Sequence, residues 1–141
     1  MAIAKTFGIE TEYGIVHRGT HDPNPITASS LLINAFLASE GYKPDARSDV
    51  IAWDFIDETP GADARGFSPL GALPPEVETH LVNAVLRNGA RYYVDHAHPE
   101  MSTPEVADPR SAVLYDRAGE LIIQRSMAAA AELLPAGQEL V

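Results

Sequence analysis

Cysteine is missing from all 141 residues. Without it there is no disulfide, no thiolate nucleophile and no cysteine-bound zinc, so any metal must be held by oxygen or imidazole. Basic residues are scarce: 10 Lys and Arg stand against 20 Asp and Glu, a formal charge of 10 − 20 = −10. Such a surface repels phosphate backbones and anionic lipid at long range, so neither nucleic acid nor a membrane is expected as partner. Long apolar runs are lacking too. No stretch approaches the ~20 residues of a membrane span, and the opening "MAIAKTFGIETEYG" has no apolar core of the kind that marks a secretion signal. A cytoplasmic location is expected.

What is present suffices for one ordinary domain with a core, since 45% of the residues are hydrophobic. The chain stops on Leu140 and Val141, just where Pro135 and Gly137 have broken a helix and an apolar segment begins. The expectation is a part of something longer.

Residues 6–16, "TFGIETEYGIV", alternate with period two and predict a strand, with Phe7, Ile9, Tyr13 and Ile15 on one face and Gly8, Glu10, Glu12 and Gly14 on the other. A turn-rich stretch follows, from which Thr27 or Ser29 can cap a helix through "LLINAFLASE" that stops at Gly41. Residues 43–73 show no sustained period. They carry Asp45, Asp49, Asp54, Asp57, Glu58, Asp63 and the single tryptophan, Trp53, and predict an inserted mobile loop. Pro74 and Pro75 can start a short helix through Val77. Asn88-Gly89 between two β-prone runs predicts a hairpin. Asp108 as N-cap and Pro109 at the first helical position open a long helix through Leu134, with Tyr115, Ala118, Ile122, Ala129 and Leu133 near one face.

Two strands thus carry rows of polar groups. Counting from Gly89, Arg91, Tyr93 and Asp95 share a face, and a two-residue turn would set Leu86 opposite Arg91, Ala84 opposite Tyr93 and Val82 opposite Asp95. Glu10 and Glu12 share a face between Gly8 and Gly14, with Cα atoms roughly 6.5 Å apart. Two carboxylates that close repel unless a cation lies between them, and all-oxygen ligation suits Mg²⁺ first and Mn²⁺ next. Each row taken alone is equally a solvated strand face. His96 and His98 form an i, i+2 pair that can grip zinc only with a third ligand. Two independent rows, with Glu100 and Glu105 soon after Asp95, favour a site over a coincidence.

The motifs "GIETEYG" and "NGARYYVDHAHPEMSTPE" resemble those of the enzymes that process Pup, the prokaryotic ubiquitin-like protein of the bacterial proteasome system. That family, the Pup ligase/deamidase family, has a ligase branch and a depupylase/deamidase branch and is related to glutamine synthetase and other carboxylate-amine ligases. The chain resembles the depupylase/deamidase branch in its Asp-His-Ala-His-Pro-Glu pattern, its "TPE" and its insertion "WDFIDETPGADARGF". The resemblance runs along essentially the whole chain. It implies an α+β fold, an antiparallel sheet packed by helices, forming the N-terminal part of a glutamine synthetase-like catalytic domain.

The resemblance also implies roles. Glu10, Tyr93 and Glu100 match magnesium-site positions, with Glu12 beside them; Arg91 and Thr103 match positions that touch the nucleotide; Asp95 matches the catalytic aspartate. The implied cofactors are ATP, or ADP with phosphate, and Mg²⁺. The implied reaction is hydrolysis of an amide at the C-terminal residue of Pup, either the glutamine side chain or the isopeptide to a lysine of a pupylated protein. Asp95 would serve as nucleophile or as base for water, because both roles need only an ionised carboxylate with access to the carbonyl carbon. Two rivals stand beside this reading: Pup–protein ligation, and a non-catalytic fragment whose acidic loop docks onto a partner. Members of the family are several times longer, so the 141 residues alone are expected to be inactive.

Overall fold

The two helices of the described residues begin where local capping chemistry in the sequence places them, whereas the two antiparallel sheets depend on how the strands meet. The structure, a computed structural model, describes residues 5–42 and 82–141. The loop expected at 43–73 and the short helix expected from Pro74 to Val77 lie outside the described residues. Helix α1 spans Pro25–Ser39. Its N-cap is Asn24, not Thr27 or Ser29, and the Asn24 side chain accepts from the amides of Ile26 at 3.0 Å and Thr27 at 3.2 Å. The Asn-Pro pair begins the helix earlier because proline at the first helical position needs no amide partner and its φ already suits a helix. Gly41, with φ of 72°, ends it as expected: its amide bonds to Ala38 O and that of Tyr42 to Leu37 O, the paired closure of a left-handed cap.

Helix α2 spans Pro109–Ala131 with Asp108 as N-cap, as expected. It stops three residues before Leu134: Pro135 pushes Leu134 out of helical backbone, and the Leu133 amide closes the last turn on Ala130 O at 3.0 Å. The buried stripe is Ala112, Gly119, Ser126 and Ala130, whereas Leu133 is 61% exposed, so the packing face is made of small side chains and lies beside the expected apolar one.

Six strands complete the described elements: β1 Glu10–Glu12, β2 His17–Arg18, β3 Asn83–Val85, β4 Arg91–Asp95, β5 His98–Ser102 and β6 Glu139–Leu140. The main sheet has the order β1-β5-β4-β3 and every neighbouring pair is antiparallel. The strand expected at 6–16 is divided between two sheets. Only Glu10–Glu12 pair with β5; then Val16 exchanges hydrogen bonds with Val141, and His17–Arg18 pair with β6. Ile15 is accordingly buried against α1, while Phe7 is 42% exposed and makes an isolated bridge to Val106.

The hairpin at Asn88-Gly89 forms, but its register differs by one residue from the expected one. Val85 lies opposite Arg91, Ala84 opposite Tyr92 and Asn83 opposite Tyr93. The turn holds three residues, Arg87, Asn88 and Gly89, because Leu86 and Ala90 pair with each other and Gly89 takes φ of 84° in the left-handed region. One residue of slip turns the whole of β3 over. A second hairpin, unforeseen in the sequence, joins β4 to β5 through His96 and Ala97, at φ 45° and 68°.

The core lies on one face of the main sheet. Leu86, Ala90, Tyr92, Val94 and Met101 pack against Ile33 and Phe36 of α1, with Ile122 and Ile123 of α2 half-buried beside them. Phe36 meets Tyr92 edge to face, with centroids 6.2 Å apart. The result is an α+β arrangement with the antiparallel sheet backed by both helices. Among the described residues no helix is long and apolar enough to cross a membrane.

Candidate active site

The sheet face turned away from the helices collects the polar rows. Residues directly opposite one another on neighbouring strands share a face, so the register alone lays out a grid. One row runs Glu12, Glu100, Tyr93, Asn83 across β1, β5, β4 and β3; the next runs Glu10, Ser102, Arg91, Val85. A third holds His98 opposite Asp95. Glu10, Glu12, Arg91, Tyr93, Asp95 and Glu100 are thereby brought onto one face from three adjacent strands.

Tyr93 is the hub. Its hydroxyl donates to Glu100 Oε1 at 2.5 Å and lies 3.0 Å from Ser102 Oγ and 3.4 Å from Glu10 Oε1. Ser102 Oγ in turn donates to Glu10 Oε1 at 3.0 Å. Burial, followed by its role as donor to Glu100, raises the Tyr93 phenol well above its ordinary range, so it remains a neutral donor. Glu100 is buried, and burial raises its pKa. The Tyr93 hydrogen bond opposes that rise, and the charges of Asp95 and Glu10 add to it.

Four carboxylates, Glu10, Glu12, Asp95 and Glu100, share this face with Arg91, the one arginine or lysine among the described residues of the main sheet's strands. Arg91 Nε donates to Asn83 Oδ1 at 2.8 Å, and its guanidinium carbon stands 3.8 Å from the centroid of the Tyr93 ring. Burial lowers the Arg91 pKa, while Tyr93, Glu10, Glu100 and Asp95 counteract it. The two histidines of the motif separate. His98, with a side chain 10% exposed, bonds through Nδ1 to Glu12 Oε1, and the more exposed His96 lies 3.1 Å from Asp95 Oδ2.

Among the described residues no three His, Asp or Glu side chains converge into a ready metal cage. Glu10 is engaged by Ser102, Glu12 by His98 and Glu100 by Tyr93. The donor chemistry fits a hard divalent cation nonetheless: these are oxygen ligands gathered on one sheet face, and like charges held that close are what a cation relieves. Thr103 stands apart. It lies just past β5, where its hydroxyl accepts from the Ile9 amide at 2.9 Å and so ties the segment before β1 to the sheet.

Three residues were not connected with this site from the sequence. Ser102 was legible, since it follows Glu100 at the two-residue strand period. Asn83 was not, because only the true register puts it on this face. Ser29, whose hydroxyl donates to Ala97 O at 2.8 Å beneath the second hairpin, acts across 68 residues and leaves no local trace.

The sequence profile of the Pup-ligase protein family matches residues 5–140. The chain belongs to that family. Within it, the chain is 46% identical over 134 residues to the depupylase of Acidothermus cellulolyticus, covering 92% of this chain and 26% of that one. It is 42% identical over 125 residues to the Pup deamidase/depupylase of Mycobacterium tuberculosis, covering 85% and 24%. The Pup–protein ligase of Bifidobacterium adolescentis is more distant, 28% identical over 124 residues, covering 87% and 18%. The chain therefore spans about a quarter of the length of the depupylases it matches, and what these Pup-ligase family residues supply is one polar sheet face with its helical backing.

Proposed function

We propose that the chain is the N-terminal part of the catalytic domain of a Pup deamidase/depupylase, which hydrolyses the side-chain amide of a C-terminal glutamine on Pup and the isopeptide bond between Pup and a target lysine. The observation that carries this reading is the position of Asp95: it ends β4 on the face of Arg91, Tyr93 and Glu100, with a quarter of its side chain open to solvent. The greater identity to depupylases than to the ligase supports hydrolysis over ligation. Pup and pupylated proteins are then the partners, the cytoplasm is the location, and the proteasome is the downstream consumer of the pathway.

In this reading Glu10, Glu12 and Glu100, with Tyr93 beside them, hold Mg²⁺, and Arg91 and Thr103 contact ATP or ADP with phosphate. Bound Mg²⁺ supplies charge that grips nucleotide phosphates and polarises oxygens. Asp95 then acts in one of two ways. As nucleophile, a carboxylate oxygen bonds to the carbonyl carbon, the C–N bond breaks, the departing nitrogen takes a proton and water cleaves the resulting anhydride. As base, it takes a proton from water, which attacks the same carbon. Tyr93, kept neutral, holds Glu100 in place, and Arg91 offsets the charge that develops on oxygen.

The test is Asp95→Asn in the complete natural protein, with release of ammonia from glutamine-ended Pup and of free target from a Pup conjugate as readouts. Both should fall by about three orders of magnitude or more while ATP binding survives. Cleavage within tenfold of the unmodified protein would overturn the assignment. ATP-dependent formation of conjugates, without cleavage, would transfer the chain to the ligase reaction.

A further inference from the structure

Arg91 is held in a way that the proposed chemistry does not by itself require. Its Nε donates to Asn83 Oδ1 at 2.8 Å, and its guanidinium stacks 3.8 Å from the centroid of the Tyr93 ring. These two contacts fix different things. The ring holds the guanidinium carbon over its face, and the Nε bond fixes which edge of the group turns toward β3. Both come from the row Tyr93, Asn83, because Asn83 lies directly opposite Tyr93 on β3, the last strand of the described sheet.

Asn83 is a poor choice for a strand on stability grounds. Asparagine is disfavoured in strands, and Asn83 Nδ2 is buried with no hydrogen-bond partner among the described residues. A buried amide left half-satisfied weakens a fold, and a retained group of that kind calls for a reason other than stability. Its neighbours on β3, Ala84 and Val85, are the apolar residues that a strand there would ordinarily use.

We propose that Asn83 is a positioning residue that aims the Arg91 guanidinium at an anionic oxygen of the bound nucleotide. The proposal rests on the reading of Arg91 as a nucleotide contact given above. An arginine side chain loses much rotamer freedom when it grips an anion, and a guanidinium already held over a ring and bonded at Nε loses less. Asn83 therefore acts on affinity through Arg91 and touches no reacting atom.

The experiment is a double-mutant cycle in the complete natural protein, using Asn83→Ala, Arg91→Ala and both together, with Mg²⁺-ATP affinity measured by calorimetry and the Arg91 Nε–Hε signal followed by NMR without nucleotide. Asn83→Ala should weaken ATP binding roughly 3- to 10-fold, the effect of releasing one ordered side chain, and should have less than a twofold effect once Arg91 is alanine. The Arg91 Nε–Hε signal should lose its protection from exchange in Asn83→Ala and keep it in Asn83→Asp, which retains an acceptor at the same place and controls for a general loss of fold. An unchanged Nε–Hε signal in Asn83→Ala overturns the proposal, as does an equal loss of affinity with and without Arg91. If the signal is released but the affinity stays within twofold, Asn83 holds Arg91 to no purpose and the proposal also fails. Arg91→Ala alone reports on the underlying reading: should it leave ATP affinity unchanged, Arg91 is no nucleotide contact and both readings fall together.

Discussion

Replacing Ser29 with alanine removes one oxygen from the first half of α1, yet its consequence belongs at the other end of the sheet. Ser29 is fully buried, and its hydroxyl donates at 2.8 Å to the carbonyl of Ala97, itself fully buried. Ala97 and His96 form the two-residue turn between β4 and β5 and take φ of 68° and 45°. Left-handed backbone costs a residue with a Cβ roughly 1–2 kcal/mol, so this turn starts about 2–4 kcal/mol above one built of glycine. Packing and the Ser29 bond keep it there. Ser29→Ala strands the Ala97 carbonyl away from water, an error that costs about 1–3 kcal/mol. Urea unfolding followed by circular dichroism should therefore show a loss of about 2 kcal/mol with an unchanged slope. Hydrogen exchange should quicken at His96, Ala97 and His98 before it quickens at Tyr92. A loss below ~0.5 kcal/mol, or exchange that rises uniformly over β4 and β5, would show that the turn stands without Ser29.

Two further outcomes follow from the termini of the elements. Asp108 caps α2 by accepting from Ser111 Oγ at 2.7 Å and Ser111 N at 2.9 Å, and these bonds hold its carboxyl below the ordinary aspartate value of 3.8. Because the folded value is the lower one, the added stability is present above 3.8 and disappears as the pH falls through the folded value. Thermal melts of Asp108→Asn, which caps without a charge, should lie below those of the unmodified chain at neutral pH and meet them in strong acid; parallel curves would remove Asp108 from the acid response. Gly19 has φ of 76°, and a Cβ there would run into the carbonyl oxygen of Gly137. Gly19→Ala should cost more than the ~1–2 kcal/mol of left-handed backbone alone and open the β2–β6 pairing, read as fast exchange at Val16 and Val141. Exchange at those amides as slow as in the unmodified chain would refute the contact.

Several features were legible because their causes are local. Asp108-Pro109 announces a helix start, Gly41 a helix stop, and Asn88-Gly89 a turn; in each case a backbone preference of one or two residues decides the outcome. The same is true of faces within a strand. Period two put Arg91, Tyr93 and Asp95 together, and Glu10 with Glu12, without knowledge of any neighbour.

What the chain could not announce is how those strands meet. Leu86 and Ala90 pair, which makes the turn three residues long, turns β3 over and brings Asn83 to Arg91; that choice depends on burying Leu86, Ala90 and Tyr92 against α1. The hairpin at His96-Ala97 has no glycine, Asn-Gly or Asp-Gly turn signature, and it forms because Ser29 and the core hold it. The sequence by itself determined which side chains share a face of β1 and of β4, a matter of backbone period; tertiary structure decided that β5 lies between β1 and β4, so that carboxylates 90 residues apart share one face with Arg91, because register and strand order are set by packing across the sheet and not by neighbours along the chain.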